Sequence, residues 1–442
     1  MTIIKIAFRV LLLMGSLWSC GSRDVIEEAP PNFILIMADD LGYGGLACYG
    51  DTSLNTPNID YLAKNGIRFT DFHSNAPVCS PTRAALLTGR YQQRAGLEGV
   101  IYVRGETREV GLDSSQMSLA KLLKTSGYQT GIMGKWHLGY EKEFNPVYHG
   151  FDTFYGYLSG NVDYHSHYDG AGIYDWWHNL DSIDEEGYAT DLITKHAVDF
   201  IADHKEKPFF LYLSHEAPHA PLQGRNDSAY RFPGKEFNYY GPVEDTTKVY
   251  KEMVEVMDQG VGKILKALRE NGLEENTIVL FISDNGAEVF GNNGNLNGKK
   301  GNLLEGGHRV PGIAYWKDHI EPKESSATIL SMDILPTFLA LSQGSYSENL
   351  KFDGIDLSGH LLRGEPLLDR TVFWRYRKQK VARFGDWKLL LTKKDTLLFN
   401  LGEDILETRD LSDKRQDILG DLLEKLDNWE KDVGSEKEMK TI

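Results

Sequence analysis

Almost continuous apolar runs alternate along this chain with stretches that repeat hydrophobic residues at helical spacing. Three of these runs contain few polar residues: FILIM (Phe33 to Met37), PFFLYLS (Pro208 to Ser214) and TIVLFIS (Thr277 to Ser283). Such runs are typical of strands buried on both faces of a parallel sheet. A further strand is predicted at Gln129 to Met133, and helices are predicted at Ser118 to Ser126, Ala189 to His204 and Tyr250 to Asn271. This alternation predicts an α/β domain whose large, mostly parallel sheet is flanked by helices.

After about residue 346 the pattern changes to shorter apolar segments separated by turns. The segments TVFWRYR, KVARFGDWKLLL and TLLFNL predict antiparallel strands, and a last amphipathic helix is predicted from Gln416 to Val433. A chain of 442 residues favours two domains over one. We therefore expect a main domain at 32–345 and a small C-terminal α+β subdomain with an antiparallel sheet at 346–442.

The first 20 residues have the pattern of an export signal. Lys5 and Arg9 precede the apolar run VLLLMGSLW, which is too short to span a bilayer as a stable helix. The run ends at Leu17-Trp18-Ser19-Cys20-Gly21, which resembles a bacterial lipoprotein processing box with a lipid anchor at Cys20. The alternative is a plain secretory signal with an incidental Cys20. Either interpretation predicts an exported protein, periplasmic or held at the outer membrane or cell surface, with a linker at 21–31.

Composition limits the partners. A formal charge of −16 argues against nucleic acid, and it requires a locally basic pocket for any anionic substrate. Besides Cys20 the chain holds only Cys48 and Cys79, which excludes a disulfide framework, although these two can still pair.

Acidic residues follow two of the predicted strands directly. Asp39-Asp40 comes after the first apolar run and Asp284-Asn285 after the third. Ligands of open α/β sheets collect at the carboxyl ends of strands, so both pairs are expected in one crevice. Carboxylate and amide oxygens suit Ca²⁺ or Mg²⁺. The alternative is that both pairs only form turns.

Basic residues are expected along the other edge of this crevice. GKWHLG offers Lys135 and His137, which point the same way if the segment is extended. SHEAPHAP offers His215 and His219, and NGKKGNLLEGGHRVP offers Lys299, Lys300, His308 and Arg309. Each alone is typical of a solvated surface. Together with a metal ion they would suit a tetrahedral oxyanion ester.

One of the few cysteines stands at a predicted helix start. In VCSPTRAALLTGR, Ser80 is the expected N-cap and Pro81 the first helical residue, so Cys79 lies just ahead of the helix and Arg83 reaches back over the same turn. Both features would lower the pKa of the Cys79 thiol. A reactive thiolate is vulnerable to oxidation outside the cell, so a thiol nucleophile is a poor choice here.

The segment Cys79-Ser80-Pro81-Thr82-Arg83 resembles the C-x-P-x-R signature of type I sulfatases, whose cysteine is converted to formylglycine. Further segments resemble motifs of this family, which includes arylsulfatases and N-acetylgalactosamine sulfatases, and they occur in the family's order. They are ADDLGYG, ALLTGR, GKWHLG, APHAPL, SDNG, KGNLLEGGHRVP and, near the C-terminus, FDGIDLSGHLL and GDWKLL. The resemblance implies the fold shared by sulfatases and alkaline phosphatase, with 32–345 as catalytic domain. It also implies a partner that matures Cys79, either a formylglycine-generating enzyme or a radical-SAM enzyme.

The resemblance also implies residue roles. The aldehyde at position 79 would hydrate to a geminal diol, of which one hydroxyl attacks sulfur and the other loses its proton to expel sulfate. The implied Ca²⁺ ligands are Asp39, Asp40, Asp284, Asn285 and modified Cys79. Arg83 would stabilise the diol, and Lys135 would hold the sulfate oxygens. His137 would act as the base, and His219, helped by Lys300, would protonate the leaving alcohol.

Tyr155 to Asn179 is crowded with Tyr, Trp, His and Asp, which suits stacking on sugar rings. The pattern resembles sulfatases of sulfated sugars, including relatives of N-acetylgalactosamine 4-sulfatase. The predicted substrate contacts are Asp163, His165, His167, Trp176, His308, Trp374 and Arg375. The alternative is that the aromatic residues pad a loop against the core.

The sequence thus predicts a sulfuric ester hydrolase that acts on a sulfated polysaccharide or glycosaminoglycan-type glycan. Two alternatives stay open. A phosphoric mono- or diester hydrolase of the same superfamily can use a similar metal and nucleophile. An inactive glycan-binding relative would be expected to lack Cys79, Arg83 or the acidic pairs, all of which are present.

Overall fold

We describe a computed structural model of the chain, which covers residues 29–434 except 236, 345, 346, 348 and 349. The predicted signal at 1–20, the anchor at Cys20 and most of the linker lie outside the described residues. Within the described part, no helix has the length and apolar character needed to cross a membrane.

The strands are β1 (Asn32–Ala38), β2 (Ile67–Phe69), β3 (Phe72–His73), β4 (Gln129–Lys135), β5 (Thr153–Tyr157), β6 (Trp177–His178), β7 (Asp181–Ser182), β8 (Phe209–Ser214), β9 (Thr277–Ser283), β10 (Gly312–Tyr315), β11 (Lys323–Ser325), β12 (Ile329–Leu330), β13 (Thr371–Tyr376), β14 (Gln379–Phe384), β15 (Trp387–Leu391) and β16 (Thr396–Asn400). The helices are α1 (Pro57–Asn65), α2 (Cys79–Thr88), α3 (Leu119–Thr125), α4 (Ala189–Asp203), α5 (Thr246–Glu270), α6 (Glu305–His308), α7 (Ile334–Leu341), α8 (Ser358–Arg363) and α9 (Gln416–Val433).

Ten strands form one sheet in the order β11-β2-β10-β9-β1-β8-β4-β5-β6-β7. The central strands from β9 to β5 are parallel, whereas β10 and the pair β6 and β7 run antiparallel to their neighbours. The strands β13 to β16 form a separate antiparallel sheet near the C-terminus. The predicted fold class, a mostly parallel sheet with a small antiparallel C-terminal unit, is confirmed.

Strand β1 shows why this sheet is buried on both faces. Phe33, Leu35 and Met37 pack on one side with helices α2, α3 and α7, whereas Ile34 and Ile36 pack on the other side with α1, α4 and α5. Alternate strand residues point to opposite faces, so an uninterrupted apolar run fills two cores at once. The layers leave the carboxyl ends of the central strands open for polar side chains.

The C-terminal sheet packs directly against the start of helix α2. Its core of strand residues and α9 residues includes Ala76 and Val78, which precede Cys79, and Ala85 within α2. The C-terminal sheet and α9 therefore help to hold the segment around Cys79 in place.

Helix α1 is capped by a residue from another helix. Its own N-cap residue Thr56 makes no side-chain cap, and the carboxylate of Asp258 on α5 accepts the backbone N–H groups of Asn58 at 3.0 Å and Ile59 at 2.8 Å. Burial raises the pKa of Asp258 to about 6, although the hydrogen bonds from α1 favour its charged form.

We expect Asp258→Asn to change how stability depends on pH. Between about pH 4 and pH 6 the native wild type binds a proton that an unfolded Asp releases, so wild-type stability falls as pH rises through this window. The Asn variant keeps an acceptor for α1 but loses this slope. Denaturant titrations of both proteins across the window measure the difference. Asp421→Asn, an exposed change, is the control, and parallel curves for wild type and Asp258→Asn would contradict the prediction.

Candidate active site

The acidic pairs predicted at the strand ends lie together. Residues Asp39-Asp40 follow β1 and Asp284-Asn285 follow β9, and these strands are parallel neighbours with Ala38 opposite Ser283. The backbone N–H of Asp40 donates to Asp284 Oδ1 at 3.2 Å, and Asn285 Nδ2 donates to Asp40 Oδ1 at 2.7 Å. Asp40 adopts a left-handed φ of 61°, which turns its carboxylate back towards Asn285.

Three basic side chains balance the three carboxylates. Lys135, at the end of β4, pairs with Asp39. Arg83 pairs with Asp284 at 2.7 Å, and Lys300 pairs with Asp40 at 2.8 Å. Of the five side chains other than Lys300, none is more than 5% exposed, and such charges are stable inside a protein only when paired.

The carboxylates nevertheless differ in their affinity for protons. Burial and the nearby charge of Asp284 raise the pKa of Asp39 well above its ordinary value, despite Lys135 and Arg83. Burial also opposes ionisation of Asp40, but Lys300 and His219 hold its pKa at about 2. Asp39 therefore needs a further positive charge beside it more than Asp40 does.

Two oxygen atoms in this cluster are buried without a hydrogen-bond partner, namely Asp39 Oδ1 and Asn285 Oδ1. Buried polar atoms are almost always paired in native proteins. Unpaired carboxylate and amide oxygens beside other carboxylates are the donors that a hard cation such as Ca²⁺ takes. The residues present thus fit a calcium ion.

Cys79 is the first residue of α2 and is 2% exposed. Its Sγ lies within 4.8 Å of carboxylate oxygens of Asp39 and Asp284. The predicted N-cap at Ser80 is wrong, because the helix begins at Cys79 after Val78, and Ser80 Oγ instead accepts the backbone N–H of Ile101 at 3.2 Å.

The thiol of Cys79 is not activated as a nucleophile. Burial raises its pKa, and the lowering effects of Lys135 and Lys300 do not reverse this, so the predicted lowering is wrong. Cys48 and Cys79 are both free thiols.

His137 presents a free nitrogen. Its Nε2 lies 2.8 Å from the carbonyl oxygen of Ile101, which only accepts, so Nε2 carries the proton and Nδ1 does not. Nδ1 has no partner. Burial, reinforced by Lys135, lowers the pKa of His137 well below its ordinary value. The expected extended path through Lys135 and His137 is wrong, since β4 ends at Lys135 and His137 has a φ of 57°.

His219 lies between two of the charged groups. Its Nδ1 contacts the carbonyl oxygen of Ala220, and its Nε2 lies 3.7 Å from Asp40 Oδ2 and 3.2 Å from the hydroxyl of Tyr239. Burial lowers the pKa of His219 well below its ordinary value, although Asp40 acts in the opposite direction. Burial lowers the pKa of Lys300, but the acidic groups around it, Asp40 foremost, together outweigh burial and raise that pKa, so Lys300 is the stronger cation here.

The glycine-rich loop at 297–308 contacts both the segment after β9, which carries Asp284 and Asn285, and the segment before Cys79. A Cβ at Gly286 would lie 1.9 Å from the carbonyl oxygen of Gly306, so only glycine allows the SDNG turn to approach EGGH. The backbone N–H of Lys300 donates to Ala287, and that of Gly301 donates to Pro77, two residues before Cys79.

A cleft opens above these residues, with a volume of about 560 Å³. Cys79, His137, His219 and Lys300 reach it. We call it the Cys79 cleft, and its further lining includes Ile101, Tyr102, Tyr140, Asn161, Arg231, Tyr239, Glu288, Tyr376 and Arg377. Arg83, Lys135 and the acidic pairs lie beneath it.

The predicted sugar contacts on the aromatic segment do not line this cleft. Asp163 is buried and its oxygens accept the backbone N–H groups of neighbouring loop residues, and the ring of His167 stacks on Trp176 with centroids 4.4 Å apart. Trp176 donates to Glu185 at 3.0 Å, and His165 contacts the carbonyl of Gly224 at 3.0 Å. These side chains fix the loop instead, as in the alternative stated above.

The remaining predicted sugar contacts also lie inside the protein. Trp374 donates to the carbonyl oxygen of Ser74 at 2.8 Å, and Arg375 pairs with Glu98 and Glu430. His308 is fully buried, and its Nδ1 lies 3.0 Å from Nδ1 of His73. None has a surface in the cleft, because each serves the contact between the main domain and the C-terminal subdomain.

Lys388 on β15 is central to that contact. Its ammonium lies 2.9 Å from Glu305, 2.8 Å from Glu407 and 3.3 Å from Nε2 of His308. Glu305 begins α6, at the end of the loop that carries Lys300. The antiparallel sheet thereby fixes one wall of the active site.

The buried carboxylates, their basic partners and two histidines beside Cys79 have the chemistry expected of a site that hydrolyses oxyanion esters. The family model "Sulfatase" matches residues 31–345. The chain is 36% identical over 396 residues to N-acetylgalactosamine-6-sulfatase of Mus musculus, covering 83% of this chain and 72% of the relative. It is 36% identical over 405 residues to arylsulfatase A of Bos taurus, covering 82% and 74%.

Among solved structures, Ps i-CgsB in complex with k-i-k-neocarrahexaose superposes with a TM-score of 0.83 at 35% identity, over 90% of this chain and 92% of that one. The chain belongs to the sulfatase family. It has the sulfatase fold, and its relatives support sulfate ester hydrolysis as its enzymatic activity.

We expect Lys388→Met to destabilise the protein by about 3–5 kcal/mol, because it leaves Glu305 and Glu407 buried without their shared cation. Turnover of an aryl sulfate should fall with it, since the Lys300 loop loses its anchor. Thermal melting and steady-state kinetics measure both effects. The double change Lys388→Met with Glu407→Gln should recover part of the loss, and exposed Lys425→Met is the control. A melting curve like that of wild type would contradict this expectation.

Proposed function

We propose that this protein is a formylglycine- and Ca²⁺-dependent sulfuric ester hydrolase that removes sulfate from a sulfated sugar. The observation that carries the proposal is the position of Cys79. Its Sγ lies against the carboxylates of Asp39 and Asp284 and also faces the cleft. The raised pKa keeps the thiol protonated and therefore weakly nucleophilic, whereas an aldehyde would be the expected reacting group.

The proposed calcium ligands are Asp39, Asp40, Asp284 and Asn285, with modified Cys79 beside them. The ion would supply positive charge next to the nucleophile and lower the pKa of a bound hydroxyl. Support comes from the two unpartnered oxygens of Asp39 and Asn285.

The other residues would hold positive charge beside the reacting groups or transfer protons. Arg83 is fixed by Asp284 and by Ser214 Oγ at 2.5 Å, so its charge stays beside residue 79. His137 lines the cleft, and its unprotonated Nδ1 would accept a proton during sulfate release. Lys300, which stays charged, and His219 would protonate the leaving alcohol, and Lys135 would contribute charge beneath the sulfate.

Sugar recognition is better assigned to the cleft itself. Tyr102 is 53% exposed and Tyr239 is 42% exposed, and with Tyr140 and Asn161 they offer ring faces and an amide above Cys79. Exposed aromatic rings bind sugar faces with little loss of conformational entropy. The similarity to an N-acetylgalactosamine-6-sulfatase and to a structure with a bound neocarrahexaose supports a glycan substrate.

The proposal includes export and maturation. A maturing enzyme would oxidise Cys79, and export, with or without a lipid on Cys20, would place the enzyme where extracellular glycans are available.

Protein purified with its maturation enzyme should contain an aldehyde at residue 79, which mass spectrometry of the peptide around it detects. Cys79→Ala should fold as wild type, since a small side chain is removed, yet lose essentially all turnover. Cys48→Ala is the matched control and should keep activity. Full activity of protein that retains only the thiol would contradict the proposal.

Substrate class is tested with the sulfate and phosphate esters of one phenol, followed by sulfated galactose, N-acetylgalactosamine, glucosamine and fucose. We expect the sulfate ester and at least one sulfated sugar to be cleaved. Preference for the phosphate ester would favour the alternative hydrolase class.

Calcium removal with a chelator should abolish turnover, and Ca²⁺ should restore it. Metal analysis should find one ion per chain, and Asn285→Ala, which leaves every charge in place, should weaken Ca²⁺ binding by roughly tenfold or more. Asn65→Ala, on the exposed end of α1, is the control. A fully active enzyme without bound metal would overturn the calcium proposal.

A further inference from the structure

Arg231 differs from the other buried basic side chains in the described part of the chain. These side chains are Arg83, Lys135, Arg231, Arg375, Arg383 and Lys388. Five of them form ion pairs, with Asp284, Asp39, Glu98, Asp71 and Glu305 respectively. Arg231 is 1% exposed and forms no ion pair with any described residue.

The guanidinium of Arg231 is nevertheless held in place. Its Nη1 donates to Asn161 Oδ1 at 2.6 Å and its Nε to the hydroxyl of Tyr230 at 3.3 Å, and the group lies 5.7 Å from the centre of the Tyr230 ring. These partners are neutral, so they orient the charge without compensating it. A buried charge without a counterion is costly. Among the described residues nothing bonds to Nη2, and Arg231 lines the Cys79 cleft.

Two acidic residues close to Arg231, Asp163 and Glu216, do not supply the missing charge. Asp163 meets Arg231 only through the backbone N–H, at 3.0 Å, and its oxygens also accept from His165, Ser166, Gln223 and Tyr230. Burial raises the pKa of Glu216 well above its ordinary value, although Arg231 acts against this shift, and the two side chains form no ion pair.

A second guanidinium without an ion pair lines the same cleft. Arg377 lies in the turn between β13 and β14 and is exposed, with its guanidinium 5.1 Å from the ring centre of Tyr376. No described carboxylate pairs with it. The cleft above Cys79 therefore offers two uncompensated positive groups in a chain whose formal charge is −16.

We propose that Arg231, assisted by Arg377, binds a second anionic group of the substrate, beside the sulfate that is removed. This group is a further sulfate ester or a uronate carboxylate, since the guanidinium fork bonds either in a bidentate manner. The inference rests on the proposed function and narrows its substrate class to glycans with at least two negative groups. It assigns Arg231 and Arg377 to substrate selection, separate from the sulfate-transfer centre.

Two matched pairs of oligosaccharides test this. ι-Neocarratetraose carries additional sulfate that κ-neocarratetraose lacks. The 6-sulfated chondroitin disaccharide carries a free carboxylate that its methyl ester lacks. Calorimetry on inert Cys79→Ala measures the affinity ratio within each pair. We expect the more anionic member to bind at least tenfold more tightly in one pair, which identifies the group. Arg231→Gln should reduce that ratio by roughly tenfold to a hundredfold.

Further variants make the result decisive. Arg231→Lys should keep part of the preference, and Arg377→Gln, an exposed change, should reduce it without a folding defect. Arg269→Gln, at the opposite edge of the sheet, is the control. The proposal is overturned if neither pair shows a preference, or if the preference survives both Arg231→Gln and Arg377→Gln. Absence of any sulfatase turnover in the matured wild type would instead refute the proposed function. The two failures can be told apart, because binding to Cys79→Ala is measured without turnover.

Discussion

The active site depends on a balance of buried charge at the ends of two adjacent strands. Asp39, Asp40 and Asp284 would repel one another there without the three basic groups that reach them from α2, β4 and the glycine-rich loop. With all three carboxylates ionised and no metal ion, this set is formally neutral. A Ca²⁺ ion bound there would give the set a net charge of +2, and this local positive charge would attract an anionic ester even to so acidic a protein.

The same principle connects the two parts of the fold. The C-terminal sheet brings Lys388 and Arg383 into contact with Glu305 and Asp71, which lie on segments of the main domain next to the active site. Each charge is buried and would be costly alone. The antiparallel sheet is therefore not an independent appendage, since its basic residues make the burial of these carboxylates possible.

Much of this arrangement could be predicted from the sequence. The strands β1, β8 and β9 are apolar at nearly every position, a pattern that only burial on both faces explains, and polar residues placed directly after them had to meet at one edge of the sheet. The family motifs supplied roles for Cys79 and its neighbours. Burial was harder to predict: the helix start suggested an acidic thiol at Cys79, but desolvation in the folded chain has the opposite and larger effect.

The sugar contacts could not be predicted in this way. A segment rich in Tyr, Trp and His has no periodicity that tells which side faces solvent, and Trp176 and His167 turned inwards to stack on each other. Tyr239 and Arg231 lie in an irregular region of the chain. Its path depends on the Asp163 carboxylate, which accepts the backbone N–H groups of Tyr230 and Arg231 far away in the sequence. Such long-range bonds leave no local pattern in the sequence.

The division between strand ends and loops has a functional consequence. Groups assigned to the reaction lie in α2, at the end of β4 or in the segments that follow β1, β4, β8 and β9, except for Lys300, which reaches the same cluster from the glycine-rich loop. The charges of the three carboxylates and their basic partners are paired there, so a substitution would disturb the others. Groups assigned to substrate selection, Tyr102, Arg231 and Arg377 among them, lie on loops and a hairpin turn, and the two arginines form no ion pair with a described carboxylate. Substitutions at these positions can alter which glycan is bound while the balance beneath Cys79 is preserved. Paired charges at the strand ends, with the substrate-selecting residues on separate loops, therefore suit a fold that keeps one reaction and changes its substrate.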